Sequence, residues 1–193
     1  IRNEFSIPTD AYLMGNVSRV TPWKGQIFLI NAFINYVKTN PNAYLILVGS
    51  PLFDNDRYLN YIKSVINHNN INEKVILAGY RTDLDYIYSA IDHFIYPSLE
   101  KDTSPLSLLS ALASGLPVSF SNIKSLNELI PLFPNAKLID PKDIYQISLM
   151  MEYYEEGYIR EIDGNKNKEF ALKNFDIESQ SSKIFDTIQL FLK

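Results

Sequence analysis

Residues 96–118 read YPSLEKDTSPLSLLSALASGLPV, and this stretch decides the fold. It begins with the end of an apolar strand, breaks at a Pro-Ser pair and continues through an acidic loop into a helix. Thr103 or Ser104 is the expected N-cap and Pro105 the expected first helical residue, because hydroxyl side chains and proline favour these positions. The helix is expected to end at Gly115, and a strand follows. This strand–helix–strand order is typical of a parallel sheet.

The same alternation extends over the whole chain. Apolar runs predict six strands, at residues 11–18, 44–48, 74–79, 93–96, 117–120 and 136–139. Helical periodicity predicts helices between them and at the end of the chain, at residues 26–39, 56–69, 83–91, 143–154, 162–174 and 177–192. In the last helix, Ile184, Phe185, Ile188 and Phe191 are expected to face inward. We therefore predict a single α/β domain over residues 1–193, a Rossmann-like parallel sheet flanked by helices.

Composition narrows the functional class. Of the 193 residues, 46% are hydrophobic and 21% are charged, which is typical of a soluble globular chain with a substantial core. The net charge of -4 argues against a general nucleic-acid binder. The absence of cysteine excludes disulfides and thiolate metal sites. No apolar run reaches the length of a membrane span and no signal peptide is visible, so a cytoplasmic protein is expected.

Ligands of open parallel sheets bind at the carboxyl ends of the strands. The candidate ligand-binding loops are therefore those that follow the predicted strands, at residues 18–25, 49–54, 79–82, 97–104 and 121–125. Arg19 and Lys24 bracket the first of these loops. Together they could clamp a diphosphate, because Arg offers a planar fork and Lys a mobile point charge. The alternative is two solvated surface cations. Under either interpretation both side chains are expected to be exposed.

Other chemistry finds little support in the sequence. There is no Walker loop, no Gly-x-Gly-x-x-Gly and no His-Glu-x-x-His. His68 lies in a polar segment and is expected to be solvated, whereas His93 precedes a strand and is interpreted as a boundary residue rather than a catalyst. No metal site is predicted. A stripe of serines on the central helix, which includes Ser107 and Ser110, either lines a groove or allows close helix packing.

Several ordered motifs resemble the C-terminal, donor-binding domain of family 4 retaining glycosyltransferases, the glycosyl transferases group 1, which have the GT-B architecture. SRVTPWKGQ at residues 18–26 is similar to the Gly-Arg-…-Lys-Gly loop of that family. LILVG at 45–49 and VILAGY at 75–80 resemble its second and third strands. YPS at 96–98 and SALASGLPV at 110–118 resemble its Pro-Ser … Glu-Ala-Met-Ala-x-Gly-x-Pro-Val signature, and NELI at 127–130 resembles the turn that follows.

The resemblance implies one half of a GT-B architecture, whose other, acceptor-binding Rossmann domain is absent from this chain. It implies that Arg19 and Lys24 neutralise the donor diphosphate, so that no metal or other cofactor is needed, and that Asp102 meets the sugar. Gly79, Tyr80 and Arg81 would approach the base. The full set of implied donor-binding residues is Gly49, Gly79, Tyr80, Arg81, Glu100, Thr103, Ser104, Pro105, Leu106, Ser107 and Ser110.

Two positions depart from the family pattern. The family has two glutamates separated by seven residues, and here Asp102 and Ser110 align with them, with Glu100 as a second candidate for the first position. The second glutamate holds the ribose in the family, and a serine is shorter and neutral. Ser18 also replaces a glycine. These differences leave the donor, and whether the enzyme is active, open.

We expect a hexosyltransferase that moves a sugar from a UDP- or GDP-linked donor to a glycan or lipid-linked acceptor in polysaccharide biosynthesis. Peripheral association with the inner membrane face is possible through the missing half. The alternatives are a catalytically degenerate domain that binds a nucleotide sugar or a partner, and a nucleotide-sugar epimerase. A flavodoxin-like signalling domain would need an acidic cluster at the strand ends, which is not evident.

Overall fold

A computed structural model describes residues 1–51, 56–100, 102, 105–126, 131, 133 and 135–191. Six parallel strands form one sheet in the order β3-β2-β1-β4-β5-β6. Their bounds are β1 Tyr12–Val17, β2 Ala43–Val48, β3 Val75–Gly79, β4 His93–Tyr96, β5 Val118–Ser121 and β6 Lys137–Ile139. The six predicted strands and the Rossmann-like α/β class are confirmed.

Helices connect the strands and cover the sheet. Their bounds are α1 Gln26–Tyr36, α2 Arg57–His68, α3 Leu84–Ala90, α4 Leu106–Ala113, α5 Ile144–Tyr153, α6 Gly157–Phe175 and α7 Ile177–Phe191. Short 3-10 turns precede α1 at Pro22–Lys24 and follow β5 at Lys124–Leu126. None of the helices, within the described residues, combines the length and apolar character needed to cross a membrane.

The core lies on both faces of the sheet because successive strand side chains point in opposite directions. Met14 and Leu45 belong to the cluster that packs under α1 and α5. Leu13 and Ile46 belong to the cluster that packs under α3 and α4. All four side chains are fully buried. Burial on both faces explains why these strands read as continuous apolar runs instead of alternating patterns.

The sheet order reverses direction between β1 and β4. From β1 the chain proceeds outward through β2 and β3, and it then returns to add β4, β5 and β6 on the other side. At such a switch point, ligands of open α/β sheets bind in a crevice outside the carboxyl ends of the strands. The loop after β1 carries Arg19 and Lys24, and the loop after β4 carries Asp102.

Helix boundaries differ from the predictions at three places. Pro105 is the N-cap of α4 and not its first helical residue, and its carbonyl oxygen accepts hydrogen bonds from the amides of Leu108 and Leu109. The alternative N-caps Thr103 and Ser104 lie outside the described residues, as does the NELI segment at 127–130. Helix α6 begins at Gly157, five residues before the predicted position. Helix α1 ends at Tyr36, three residues before the predicted position.

The inward orientation predicted for α7 is wrong. Ile184, Phe185 and Ile188 are 60%, 62% and 50% exposed. The side chain of Phe191 is not described. The spacing of these residues does produce an apolar face, but within the described chain α7 contacts mainly α6, and its apolar face points away from the sheet.

Candidate donor-binding site

The loop after β1 is held by polar side chains that sequence reasoning did not single out. Gln26, at the start of α1, donates from its amide nitrogen to the hydroxyl of Ser18 at 3.0 Å and to the carbonyl oxygen of Arg19 at 2.7 Å. The Ser18 hydroxyl in turn donates to the side-chain oxygen of Asn16, and the Asn16 amide donates to the carbonyl oxygen of Ile95. This chain of bonds ties the loop to β4 and presents the Arg19 side chain to solvent.

The loop after β4 is joined to the same region by a close backbone approach. The Leu99 amide donates to the carbonyl oxygen of Trp23 at 2.7 Å. Gly25 has a φ of 70°, and a side chain there would collide with the carbonyl oxygen of Pro97. Glycine is therefore required on both grounds, because it alone adopts a positive φ freely and leaves room for the neighbouring backbone. The contact brings Lys24 next to the acidic loop.

Lys24, Tyr96 and Asp102 form a compact polar cluster. The Lys24 ammonium nitrogen lies 2.5 Å from Oδ2 of Asp102 and 2.6 Å from the Tyr96 hydroxyl. The Tyr96 hydroxyl donates to the same carboxylate oxygen at 2.6 Å. Lys24 is 8% exposed and Asp102 is 7% exposed. The predicted exposure of Lys24 is therefore wrong, because the side chain folds back to meet a carboxylate 78 residues later in the sequence.

The electrostatics of Asp102 follow from this packing. Burial raises the pKa of the Asp102 carboxyl, but hydrogen bonds from Lys24 and Tyr96 outweigh burial, and the pKa lies below its usual value. Asp102 is thus an anion at neutral pH and balances the Lys24 charge. Glu100, the other candidate for the first acidic position, is exposed.

A second part of the site is a cavity of about 270 Å³ at the ends of β1, β2 and β3. Arg19, Gly49, Tyr80 and Arg81 all line it, which brings together four of the predicted site residues. Gly49 has a φ of 141°, and a side chain there would collide with the carbonyl oxygen of Ser18. Tyr80 is 74% exposed and offers a ring face at the rim.

Arg81 is fixed by two carboxylates instead of pointing freely into the cavity. Its guanidinium makes two hydrogen bonds with Asp83, at 2.7 and 2.8 Å, and two with Glu4, at 2.5 and 3.0 Å. These bonds raise the pKa of Arg81 above its usual value. Four of its five N–H donors are used by these carboxylates, so Arg81 shapes the cavity wall more than it contacts a ligand. Gly79, which comes directly before Tyr80 and Arg81, has a φ of 67° and open space where a side chain would lie.

Arg19 lies between the cavity and the buried cluster. It lines the cavity, and its charge acts on the Tyr96 hydroxyl. Helix α4 begins at Leu106, four residues after Asp102 in the chain. Leu106 at the start of α4 is 71% exposed. The loops at this edge thus carry an exposed cation that lines the cavity and a buried cation paired with Asp102, and α4 begins shortly after Asp102, a combination that suits an anionic ligand.

Ser110 lies on the exposed side of α4, which rules out the interpretation that it only packs the helix against a neighbour. The neighbouring Tyr88, whose pKa burial raises to about 12, donates its hydroxyl proton to the carbonyl oxygen of Ser107 at 3.0 Å. Within the described parts of the chain, no group of three or more His, Cys, Asp or Glu side chains is arranged to hold a metal ion.

His93 is a buried core residue. Its ring nitrogens lie 3.0 Å from the Tyr12 hydroxyl and 2.9 Å from the Ser119 hydroxyl, and the ring packs at 4.5 Å from that of Tyr154. Burial, with a smaller contribution from the charge of Arg160, lowers the pKa of His93 to about 3. It is therefore neutral at physiological pH and lies at the opposite end of β4 from the Lys24 cluster.

Sequence comparison finds that this chain is similar to known glycosyltransferases. Over 179 residues the chain is 26% identical to the Escherichia coli UDP-Gal:alpha-D-GlcNAc-diphosphoundecaprenol alpha-1,3-galactosyltransferase, an alignment covering 92% of this chain and 45% of that protein. Over 82 residues it is 37% identical to the O-antigen chain mannosyltransferase B of Escherichia coli, covering 42% of this chain and 20% of that protein.

Solved structures share the fold. HepE of Anabaena, solved in complex with UDP-glucose, has a TM-score of 0.88 and 23% identity over 97% of this chain and 51% of its own. The C-terminal domain of LpcC from Francisella tularensis, described as a glycosyl transferase group 1 family protein, has a TM-score of 0.78 and 20% identity over 91% of both chains. The present chain therefore spans about half the length of the galactosyltransferase and of HepE.

The sequence model of the family described as "Glycosyl transferases group 1" matches residues 1–173, which include every strand of the sheet and the whole of the crevice. This chain belongs to the group 1 glycosyltransferase family.

Proposed function

We propose that this chain is the donor-binding half of a retaining glycosyltransferase that moves a hexose from a nucleotide sugar to an acceptor hydroxyl. The observation that carries the proposal is that one loop at the carboxyl edge of the sheet presents Arg19 to the cavity and holds Lys24 against Asp102 of the neighbouring loop. Group 1 relatives named as a galactosyltransferase and a mannosyltransferase support hexose transfer, and the HepE complex supports a uridine diphosphate donor.

In this proposal the base and ribose lie in the cavity between Gly49 and Tyr80, and the diphosphate extends toward Arg19 and Lys24. Transfer breaks the bond between the anomeric carbon and the diphosphate oxygen, and the electron pair remains on that oxygen. The Arg19 and Lys24 cations stabilise the negative charge that develops there, so a metal ion is not needed. The acceptor oxygen forms the new bond, and the acceptor proton passes to the departing phosphate oxygen. An acceptor-binding half outside this chain would supply the other wall of the crevice.

A domain that binds a nucleotide sugar without catalysis is the second candidate. It is favoured by Ser110, which replaces a glutamate of the family pattern with one exposed hydroxyl. Sugar transfer by a protein containing both halves separates the two candidates. Turnover would establish the enzyme, whereas donor binding with no turnover on a panel of lipid-linked and glycan acceptors would favour the binding domain.

Calorimetric titration of this chain with UDP, GDP and ADP, and with their hexose derivatives, tests the proposal. We expect saturable binding with a preference for one base, unchanged when EDTA is present. Pyrophosphate should compete with the nucleotide, and the nucleoside alone should bind more weakly. Absence of binding by every nucleotide, or loss of binding in EDTA, would contradict the proposed metal-independent donor site.

A further inference from the structure

Tyr96 is the side chain that joins the two charged members of the site. Its hydroxyl accepts a hydrogen bond from the Lys24 ammonium at 2.6 Å and donates one to Oδ2 of Asp102 at 2.6 Å. One phenol thus contacts the loop after β1 and the loop after β4.

The ring that carries this hydroxyl is held in place. Tyr96 is the last residue of β4, a central strand, and is 2% exposed. Its ring stacks on Phe94 with an interplanar angle of 17°, and its carbonyl oxygen accepts a hydrogen bond from the Ser121 hydroxyl at 3.1 Å. A ring with two rotatable side-chain bonds, fixed by strand and core, is a rigid support for a flexible lysine.

The phenol also remains in the protonation state that this role requires. Burial and then the hydrogen bond to Asp102 raise the pKa of Tyr96 well above its usual value. A neutral phenol has one proton to donate and lone pairs to accept with, so it can serve an anion and a cation at once. The Lys24 ammonium has three protons, and Tyr96 and Asp102 together use two of them.

We propose that Tyr96 is a positioning residue that orients the Lys24 ammonium toward the donor diphosphate and holds Asp102 beside it. The inference rests on the proposed function and adds a residue to it that neither the family pattern nor the sequence motifs assign. A free lysine side chain has considerable rotamer entropy, which its ligand would otherwise have to overcome on binding. With Tyr96 and Asp102 as partners, Lys24 keeps one ammonium proton for a ligand on a side chain that is already ordered.

The test compares Tyr96→Phe with Tyr154→Phe. Tyr154 is a matched control, because it is also a buried tyrosine whose hydroxyl donates to a buried aspartate, Asp163, at 3.0 Å, near the other end of β4. Lys137 completes that second cluster at 3.3 Å from Asp163. Both substitutions remove one hydroxyl from a buried Tyr–Asp–Lys cluster, but only the first cluster borders the crevice.

Binding of UDP, inorganic pyrophosphate and uridine to each variant is measured by calorimetry. Tyr96→Phe should weaken UDP and pyrophosphate about tenfold, the effect of losing one hydrogen bond to a charged group, and leave uridine unchanged. Tyr154→Phe should change none of the three. Unaltered UDP and pyrophosphate affinity in Tyr96→Phe, or an equal loss for uridine, would overturn the positioning role.

A ligand-free measurement separates this inference from the proposed function. In protein labelled with ¹⁵N-lysine, the ordered Lys24 ammonium should give a slowly exchanging proton signal, assigned by its absence from Lys24→Met. The signal should be lost in Tyr96→Phe and retained in Tyr154→Phe. If the signal depends on Tyr96 but no nucleotide binds, the proposed function fails while the orientation of Lys24 stands. A signal that persists in Tyr96→Phe overturns the inference, whatever binds.

Discussion

The Lys24 ammonium lies 2.5 Å from the Asp102 carboxylate, and each side chain is 9% exposed. A charge pair so well shielded from water is balanced only while both partners are present, because either charge alone would be costly to bury. The pair therefore connects donor binding with stability. A substitution at Lys24 changes the fold as well as the phosphate contact, and the two effects have to be measured separately.

We predict that Lys24→Met and Asp102→Asn each lower the free energy of unfolding by roughly 3 kcal/mol, because each leaves an uncompensated buried charge. The double variant should lose clearly less than the sum of the two, by about 1 kcal/mol or more. Urea denaturation of the four proteins gives this cycle. Additive losses would show that the two groups do not interact in solution.

Arg19→Ala should separate binding from stability. Arg19 is exposed, so the free energy of unfolding should change by less than about 0.5 kcal/mol. Affinity for a nucleoside diphosphate should fall by roughly 1.5–3 kcal/mol, the contribution of a charge-assisted hydrogen bond. Lys38→Ala is the matched control, since Lys38 is an exposed cation beyond the far end of α1. Equal effects of the two substitutions would mean that net charge, and not the Arg19 contact, governs binding.

Ser110→Glu should strengthen nucleotide binding by about 1 kcal/mol or more, because a carboxylate there can accept hydrogen bonds from both ribose hydroxyls. Since Ser110 is exposed on α4, the melting temperature should change little. Ser114→Glu provides the control, because Ser114 is also exposed and lies one turn further along the same helix, away from the crevice. Tighter binding in both variants, or in neither, would remove Ser110 from the ribose site.

Stability should fall on acidification because of His93. Its pKa of about 3 in the folded chain lies below the usual value of about 6.5, so between these values the unfolded chain binds the proton and the folded chain does not. The contribution of His93 to the free energy of unfolding is therefore fully present above about pH 6.5 and decreases as the pH falls below that value. Between pH 7 and pH 5 the loss should be about 2 kcal/mol.

His93→Gln should remove this part of the pH dependence, although it lowers stability at every pH. Denaturant midpoints at pH 7, 6 and 5 for both proteins give the comparison. Parallel pH profiles for wild type and His93→Gln would show that His93 titrates normally in the folded chain.

The fold could be predicted from the sequence because each buried strand is a local apolar run with glycine, proline or polar residues at its ends. The site was only partly predictable. Arg19, Gly49, Tyr80 and Arg81 lie in motifs and meet in one cavity. The burial of Lys24 depends on partners 72 and 78 residues away, which no local pattern reveals.

Tyr96 was missed as a site residue because its position at the end of an apolar strand looks like core. The feature that could have identified Tyr96 was its hydroxyl group, because the residue stands directly before the Pro-Ser pair that ends β4 at the carboxyl edge of the sheet. The orientation of α7 was mispredicted for a different reason. An apolar helix face shows that a helix has a surface to cover, and it does not show that the covering surface lies within the same chain.

A crystal structure of this chain with the nucleoside diphosphate that binds most tightly tests the central claim most directly. We predict that the base lies in the cavity between Gly49 and Tyr80, with phosphate oxygens in hydrogen-bond contact with the Arg19 guanidinium and the Lys24 ammonium. The account would be contradicted by a nucleotide bound elsewhere with both cations free of contact. The cavity of about 410 Å³ between Asn42 and Arg160, at the amino edge of the sheet, is such a place.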